Sequence, residues 1–101
     1  MSPHNLRLVL SVEAKADIVD ILQYTYETWG ASQASAYSAV MDKALFAICE
    51  HPHLGKKVPE ISERHRVVKA GQHIIFYSVI DSGIHVARIL HNKMDIKNHF
   101  S

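Results

Sequence analysis

Residues 65–90 read HRVVKAGQHIIFYSVIDSGIHVARIL, and this stretch decides the fold. It contains three short runs rich in valine, isoleucine, phenylalanine and tyrosine, the residue types that favour β-strands. Gly71-Gln72 separates the first two runs and Asp81-Ser82-Gly83 the last two, so glycine is available in both hairpin-length turns. Strands joined this tightly form an antiparallel meander. The predicted strands are His65–Ala70, His73–Ile80 and Ile84–Leu90.

Two helical patterns precede the meander. Apolar residues between Val12 and Trp29 recur at the spacing of one helix face, and Gly30 then offers the left-handed conformation that ends a helix. A second pattern of this kind runs from Ser32 to Cys49. The connection between them is very short, which predicts an antiparallel helical hairpin.

The remaining segments complete a two-layer α+β domain. Asn5–Leu10 alternates apolar and polar residues and is predicted as a first strand beside the meander. Residues 51–64 contain two prolines and a glycine and are predicted as an extended loop, and Lys93–Ser101 as a polar tail. Two helices can cover one face of the sheet. No repeat or linker interrupts the chain, so we interpret residues 1–101 as a single domain.

Composition excludes several classes of protein. The chain has 101 residues, of which 48% are hydrophobic and 21% charged, as expected of one small globular domain. Its single cysteine, Cys49, excludes an internal disulfide and is predicted to be a small buried hydrophobe. Because the sequence shows neither a membrane-spanning run nor a signal peptide, a cytoplasmic location is expected. No cofactor and no metal ion are expected either.

Charge is distributed unevenly along the chain. Residues 1–50 carry three basic and six acidic side chains, whereas residues 51–101 carry eight basic and four acidic ones. Such a difference is typical either of a surface for an anionic partner or of an ordinary solvated face.

Four stretches together resemble the ParE toxins of the RelE/ParE superfamily, the toxins of type II toxin–antitoxin pairs. The resemblance implies a helical hairpin packed on a small antiparallel sheet, in agreement with the prediction above. It also implies a cognate ParD-like antitoxin that holds the toxin inactive, DNA gyrase as the target, and contact with DNA only through the antitoxin. The stretches are EAKADIVDILQYTYETWG (13–30), ICEHPHLGKKVPEI (48–61), HRVVKAGQHIIFYSV (65–79) and VARILHNKMDIKNHF (86–100).

The RelE branch of the superfamily implies a different activity, the cleavage of mRNA in the ribosome. Arg66 and Arg88 match positions where RelE-like ribonucleases carry sheet arginines, and His91 is a candidate proton-transfer group. No tyrosine follows Tyr77, although RelE-like enzymes usually place one near the C-terminus. A structural interpretation also stands, in which the two arginines form ion pairs with acids such as Glu60, Glu63 or Asp81.

Three functional hypotheses follow: a gyrase inhibitor that acts by protein contact, a ribosome-dependent endonuclease, and a toxin remnant that binds its antitoxin without harming the cell. An incompletely covered sheet leaves room for a partner's helix or strand. The predicted antitoxin-binding residues are Tyr24, Tyr26 and Ile61. The predicted target-binding residues are Arg66, Lys69, Arg88, His91, Lys93, Met94 and Phe100.

Aromatic side chains are predicted mainly as core. Their spacing along the helices and strands is compatible with burial. They are Trp29, Tyr37, Phe46, Phe76 and Tyr77.

Overall fold

The computed structural model describes residues 7–93, which form two helices and five strands. The predicted residues Met94 and Phe100 lie outside the described residues. The elements are β1 (Arg7–Leu10), α1 (Val12–Trp29), α2 (Ala31–Glu50), β2 (Lys56–Val58), β3 (Ser62–Ala70), β4 (His73–Ile80) and β5 (Gly83–His91).

The five strands form one sheet in the order β1-β5-β4-β3-β2. Strands β3, β4 and β5 are the predicted antiparallel meander, and β1 pairs in parallel with β5. The α+β architecture is therefore confirmed. The prediction of residues 51–64 as a loop is wrong for its second half, since Lys56–Val58 forms β2 and β3 begins at Ser62 rather than His65.

Helix α1 has the predicted bounds, and α2 extends one residue beyond the predicted Ser32–Cys49 at each end. Ser11 accepts a hydrogen bond from the backbone N–H of Ala14 (2.9 Å) and donates one to the carbonyl of Ala87 in β5 (2.7 Å). One hydroxyl therefore caps α1 and attaches it to the sheet. Gly30 separates the helices with a φ of 95°, in the left-handed region that favours glycine.

The core lies between the hairpin and one face of the sheet. Its helical contribution includes Ala14, Met41 and Ile48, and its strand contribution includes Ile75, Tyr77 and Ile89. Phe76 alternates with its two neighbours and is buried on the opposite face, where it stacks on His65 with ring centroids 4.5 Å apart.

Two of the five predicted core aromatics are exposed. Trp29 is 69% exposed and Phe46 is 63% exposed, whereas Phe76 and Tyr77 are buried and Tyr37 is partly buried. Trp29 is the last residue of α1, and Phe46 is rotated about 100° around α2 from the buried Leu45. Helical spacing alone therefore overestimated the width of the buried face.

Neither helix has the length and apolar character needed to cross a membrane, within the residues that the structure describes.

Candidate functional site

An aromatic groove opens where the helical hairpin meets the turn between β3 and β4. Its volume is about 380 Å³. Helix α1 contributes exposed aromatic surface, and the far wall comes from the β3–β4 turn and the end of β5. The principal lining residues are Tyr24, Trp29, Tyr37, Gln72, His73 and His91.

Tyr37 fastens the floor of the aromatic groove. Its hydroxyl accepts a hydrogen bond from the backbone N–H of Gln72 (2.8 Å). The same oxygen lies 2.6 Å from Nδ1 of His73 and 3.2 Å from the carbonyl oxygen of Ala70. The His73 ring meets the His91 ring edge-on, with centroids 5.3 Å apart. One phenol from α2 thus fixes both the turn backbone and a half-buried imidazole.

Protonation of this imidazole is unfavourable. Burial lowers the pKa of His73, and the neighbouring His91 lowers it further, while the carboxylate of Asp17 acts in the opposite direction. His73 is therefore neutral near pH 7 and presents one donor and one acceptor nitrogen.

Asp17 and Arg88 join α1 to β5 behind the groove. The carboxylate accepts two hydrogen bonds from the guanidinium, from Nε at 2.8 Å and from Nη2 at 2.9 Å. It also accepts the backbone N–H of Ile89 at 2.9 Å. Strand β1 ends at Leu10, opposite Val86, so Asp17 takes the place of the missing neighbour along the edge of β5. This bidentate pair closes the sheet edge under the helix.

A second concavity, the basic hollow, lies at the opposite end of β3 and β4. Its volume is about 310 Å³. It is lined by His53, Lys57, Glu63, Arg64, His65, Arg66, Ser78, Val79 and Ile80.

Arg66 is held in place by the loop before β2. Its Nη1 donates to the carbonyl of Gly55 at 2.8 Å and to that of His53 at 3.3 Å. Both acceptors are uncharged backbone oxygens, so neither contact offsets the positive charge of the guanidinium.

Tyr77 also forms hydrogen bonds to the loop before β2. Its fully buried hydroxyl donates to the carbonyl of Pro52 and accepts the backbone N–H of Gly55, both at 2.8 Å. Burial raises the pKa of Tyr77, so it remains a neutral phenol. A Cβ added at Gly55 would lie 2.7 Å from the Tyr77 oxygen, so this close approach requires glycine.

His65 also lines the basic hollow. Its Nδ1 is 2.8 Å from the hydroxyl of Ser62, which accepts the backbone N–H of Arg64 at 3.1 Å. Burial lowers the pKa of His65, and the proximity of His85 and Arg64 lowers it further.

The structure distributes the predicted target residues over several places. Arg66 lines the basic hollow, His91 lines the aromatic groove, and Arg88 is paired with Asp17. The interpretation that Arg88 forms an ion pair is confirmed, but its acidic partner is Asp17 and not Glu60, Glu63 or Asp81. The predicted residues Lys69 and Lys93 are exposed on β3 and just after β5.

The predicted antitoxin residues also separate. Tyr24 lines the aromatic groove and is 66% exposed, whereas Tyr26 is 59% exposed on the same helix but outside the groove. Ile61 lies in the turn between β2 and β3. Sequence reasoning missed Trp29 and His73 as groove residues. The position of Trp29 at the end of its helix was the available signal for its exposure.

Comparisons with known proteins agree on one family. The sequence profile described as "ParE toxin of type II toxin-antitoxin system, parDE" matches residues 8–96. Toxin ParE1 of Mycobacterium tuberculosis is 36% identical over 91 residues, which cover 89% of this chain and 93% of that protein. Toxin ParE1 of Caulobacter vibrioides is 33% identical over 90 residues, with the same two shares covered.

Solved structures show the same fold at low sequence identity. A chain of the chromosomal ParDE TA system from P. aeruginosa superposes with a TM-score of 0.74 at 17% identity, covering 87% of this chain and 97% of that one. The YoeB dimer from Staphylococcus aureus gives a TM-score of 0.61 at 16% identity, covering 87% and 98%.

Proposed function

The chain belongs to the ParE family of type II toxins, and we propose that it inhibits DNA gyrase by direct protein contact until a ParD-like antitoxin covers its contact surface. The observation that carries this proposal is the aromatic groove, with two large aromatic side chains exposed along its rim. Gyrase acts on the chromosome, so the proposal places the toxin in the cytoplasm.

Exposed aromatic residues beside a groove favour a protein partner. Trp29 is 69% exposed and Tyr24 is 66% exposed, yet both line one concavity. Tryptophan and tyrosine are the residue types that most often dominate binding energy at protein interfaces. A partner that inserts an apolar side chain between them would remove a large apolar area from water.

The same groove supports a simple means of neutralisation. It contains Tyr24, a predicted antitoxin residue, and His91, a predicted target residue. A segment of antitoxin laid along the groove would cover both. We therefore expect the antitoxin to block gyrase by occupying the shared surface, without any change in the toxin fold.

The placement of the arginines favours contact over phosphodiester cleavage. Arg88 is neutralised by Asp17, which accepts both of its forked hydrogen bonds. Arg66 is held by loop carbonyls in the basic hollow, and His91 lies in the aromatic groove. A ribonuclease would need these three groups around one phosphate.

A supercoiling assay with purified gyrase tests the proposal. Inhibition should rise with added toxin and should weaken by about tenfold in Trp29→Ala, the loss expected when an aromatic anchor is removed. Tyr24→Ala should weaken inhibition as well. Tyr26→Ala is the matched control, because it removes a tyrosine of similar exposure from the same helix outside the groove.

Two outcomes would contradict parts of the proposal. Full supercoiling in the presence of excess folded toxin would exclude gyrase, and equal effects of Tyr24→Ala and Tyr26→Ala would exclude the groove. Primer extension on translated mRNA then identifies an endonuclease by new cuts that disappear in Arg66→Ala. Unimpaired growth after induction without antitoxin identifies a toxin remnant.

A further inference from the structure

We propose that the basic hollow binds a phosphate group carried by a nucleoside or by a nucleic acid strand. The proposed contact with gyrase does not require such a ligand, so this site is additional to it. It also differs from the expectation that DNA is reached only through the antitoxin.

Arg66 is the central phosphate ligand of the proposed site, and its side chain is already ordered before binding. Two backbone carbonyls hold its Nη1, from Gly55 at 2.8 Å and His53 at 3.3 Å. Within residues 7–93, its Nε and Nη2 have no hydrogen-bond partner. A guanidinium fixed on one side presents the rest of its donors in the geometry that suits two phosphate oxygens. Because the loop already orders this side chain, binding loses little rotamer entropy there.

Two further cations surround Arg66. Lys57 pairs with it across β2 and β3, and Arg64 is two residues away on the same strand. Among the described residues, neither forms an ion pair with a carboxylate. Glu63 is the acidic residue in the lining, so the hollow is net positive. Unpaired cations around one concavity raise the local concentration of anions.

His65 lines the hollow from the other face of β3, because adjacent residues of a strand point to opposite faces and Arg66 pairs with Tyr77 on the core face. The Ser62 hydroxyl accepts the N–H of Arg64 and can donate its own proton to Nδ1 of His65. In that arrangement the imidazole proton lies on Nε2, where it is available as a donor. The ring is also fixed by its stacking on Phe76, with planes 7° apart. The histidine is therefore not a ligand of the phosphate that Arg66 holds, and the three cations carry the proposal.

Apolar surface beside the cations favours a phosphate that carries an organic group. Val79 and Ile80 line the hollow and are 41% and 39% exposed. A volume of about 310 Å³ exceeds that of a phosphate ion alone and leaves room for a sugar or the edge of a base. Inorganic phosphate would contact the cations and leave this apolar wall in water.

Backbone amide NMR of the purified toxin, with gyrase absent, tests the site. The three probes are inorganic phosphate, adenosine 5′-monophosphate and a short DNA duplex, each titrated at low salt. We expect saturable shifts at the amides of Arg64, Arg66 and Val79, with the monophosphate or the duplex binding more tightly than inorganic phosphate. Affinity for the duplex should fall with added salt, because phosphate contacts release counterions.

The variant Lys57→Gln/Arg64→Gln changes two exposed side chains, neither of which forms a hydrogen bond to the backbone of residues 7–93. We expect it to bind roughly tenfold more weakly, since two charge-assisted contacts are lost. Lys15→Gln/Lys43→Gln removes the same charge from the helices and is the matched control. Arg66→Lys keeps the positive charge but removes the planar guanidinium and its paired N–H donors. Weaker phosphate binding by this variant would therefore show that the guanidinium geometry contributes to affinity.

Two results would overturn the proposal: no saturable shift with any probe, or equal weakening by the hollow variant and the helix control. Preference for the monophosphate identifies a nucleotide source, and preference for the duplex identifies a nucleic acid strand. Both results support the site and leave the gyrase assay unaffected, so the two proposals fail independently.

Discussion

The two ends of strand β4 differ in what they leave open to a partner. At His73 the strand faces the aromatic groove, whereas at Ile80 it faces the basic hollow, and the eight residues of the strand span roughly 23 Å. The groove end exposes aromatic rings, and the charges of the nearby Asp17 and Arg88 are paired with each other. The hollow end exposes cations that, within residues 7–93, form no ion pair with a carboxylate. The difference indicates that one small sheet can offer two chemically distinct surfaces.

At each end of β4, a tyrosine hydroxyl forms hydrogen bonds with the backbone of a loop or turn. Tyr77 binds Pro52 and Gly55 below the hollow, and Tyr37 binds the Gln72 N–H below the groove. The first hydroxyl is fully buried, whereas the second belongs to a partly buried ring. If burial sets the value of such a contact, removing the first should cost more.

The largest effect is therefore expected for Tyr77→Phe. It leaves a buried N–H at Gly55 and the Pro52 carbonyl without their partner, which costs about 3 kcal/mol in the free energy of unfolding. Urea unfolding measures this value. Hydrogen exchange should also show the Gly55 amide losing protection, while that of Gln72 is unchanged. A loss equal to that of Tyr37→Phe would contradict the comparison.

Asp17→Ala is expected to have the next largest effect. It removes the acceptor of two guanidinium bonds and of the Ile89 N–H, in a pair whose side chains are 14% and 24% exposed. We expect a loss of about 2 kcal/mol, the value typical of charge-assisted hydrogen bonds. Asp20→Ala, on the same helix, is the control. In a double-mutant cycle with Arg88→Met, additive effects would show that the pair is not coupled.

Tyr37→Phe should cost about 1 kcal/mol, because water can reach the partners of this hydroxyl. The same variant also tests whether the groove and the hollow function independently. The groove should lose the fixed position of His73, so we expect weaker gyrase inhibition, while phosphate binding at the hollow stays unchanged. Parallel measurements of supercoiling and of nucleotide binding test this separation. Loss of both activities would indicate that the two ends are coupled.

The sequence was informative where structure depends on local periodicity. It located both helices and the three strands of the meander, because Val12–Trp29 and residues 65–90 carry clear periods of 3.6 and 2. It missed β2, since Lys56–Val58 has three residues and lies between a glycine and a proline. A strand this short forms only because β3 provides hydrogen bonds beside it.

The sequence did not predict contacts between residues that are far apart along the chain. Asp17 and Arg88 are 71 positions apart, and no local pattern selects that acid over Glu60 or Glu63. The exposure of Trp29 was missed for a related reason. Helical spacing shows which side of α1 faces inward, but it does not show where the sheet beneath the helix ends.

The smallest effect is expected from pH, and it acts at both ends. Burial lowers the pKa of His73 in the groove and of His65 in the hollow. Each imidazole therefore binds a proton less readily in the folded state than in the unfolded state, where its pKa is about 6.5. Their contribution to stability is present above that value and is lost as the pH falls through the lower folded pKa.

Unfolding measured between pH 5 and pH 8 should show stability falling on the acid side. His73→Gln and His65→Gln should each flatten part of that slope, and the two effects should add, because the sites lie at opposite ends of β4. A slope unchanged in both variants would assign the acid sensitivity to other groups, whereas a change confined to His73→Gln would make the groove the pH-sensitive end.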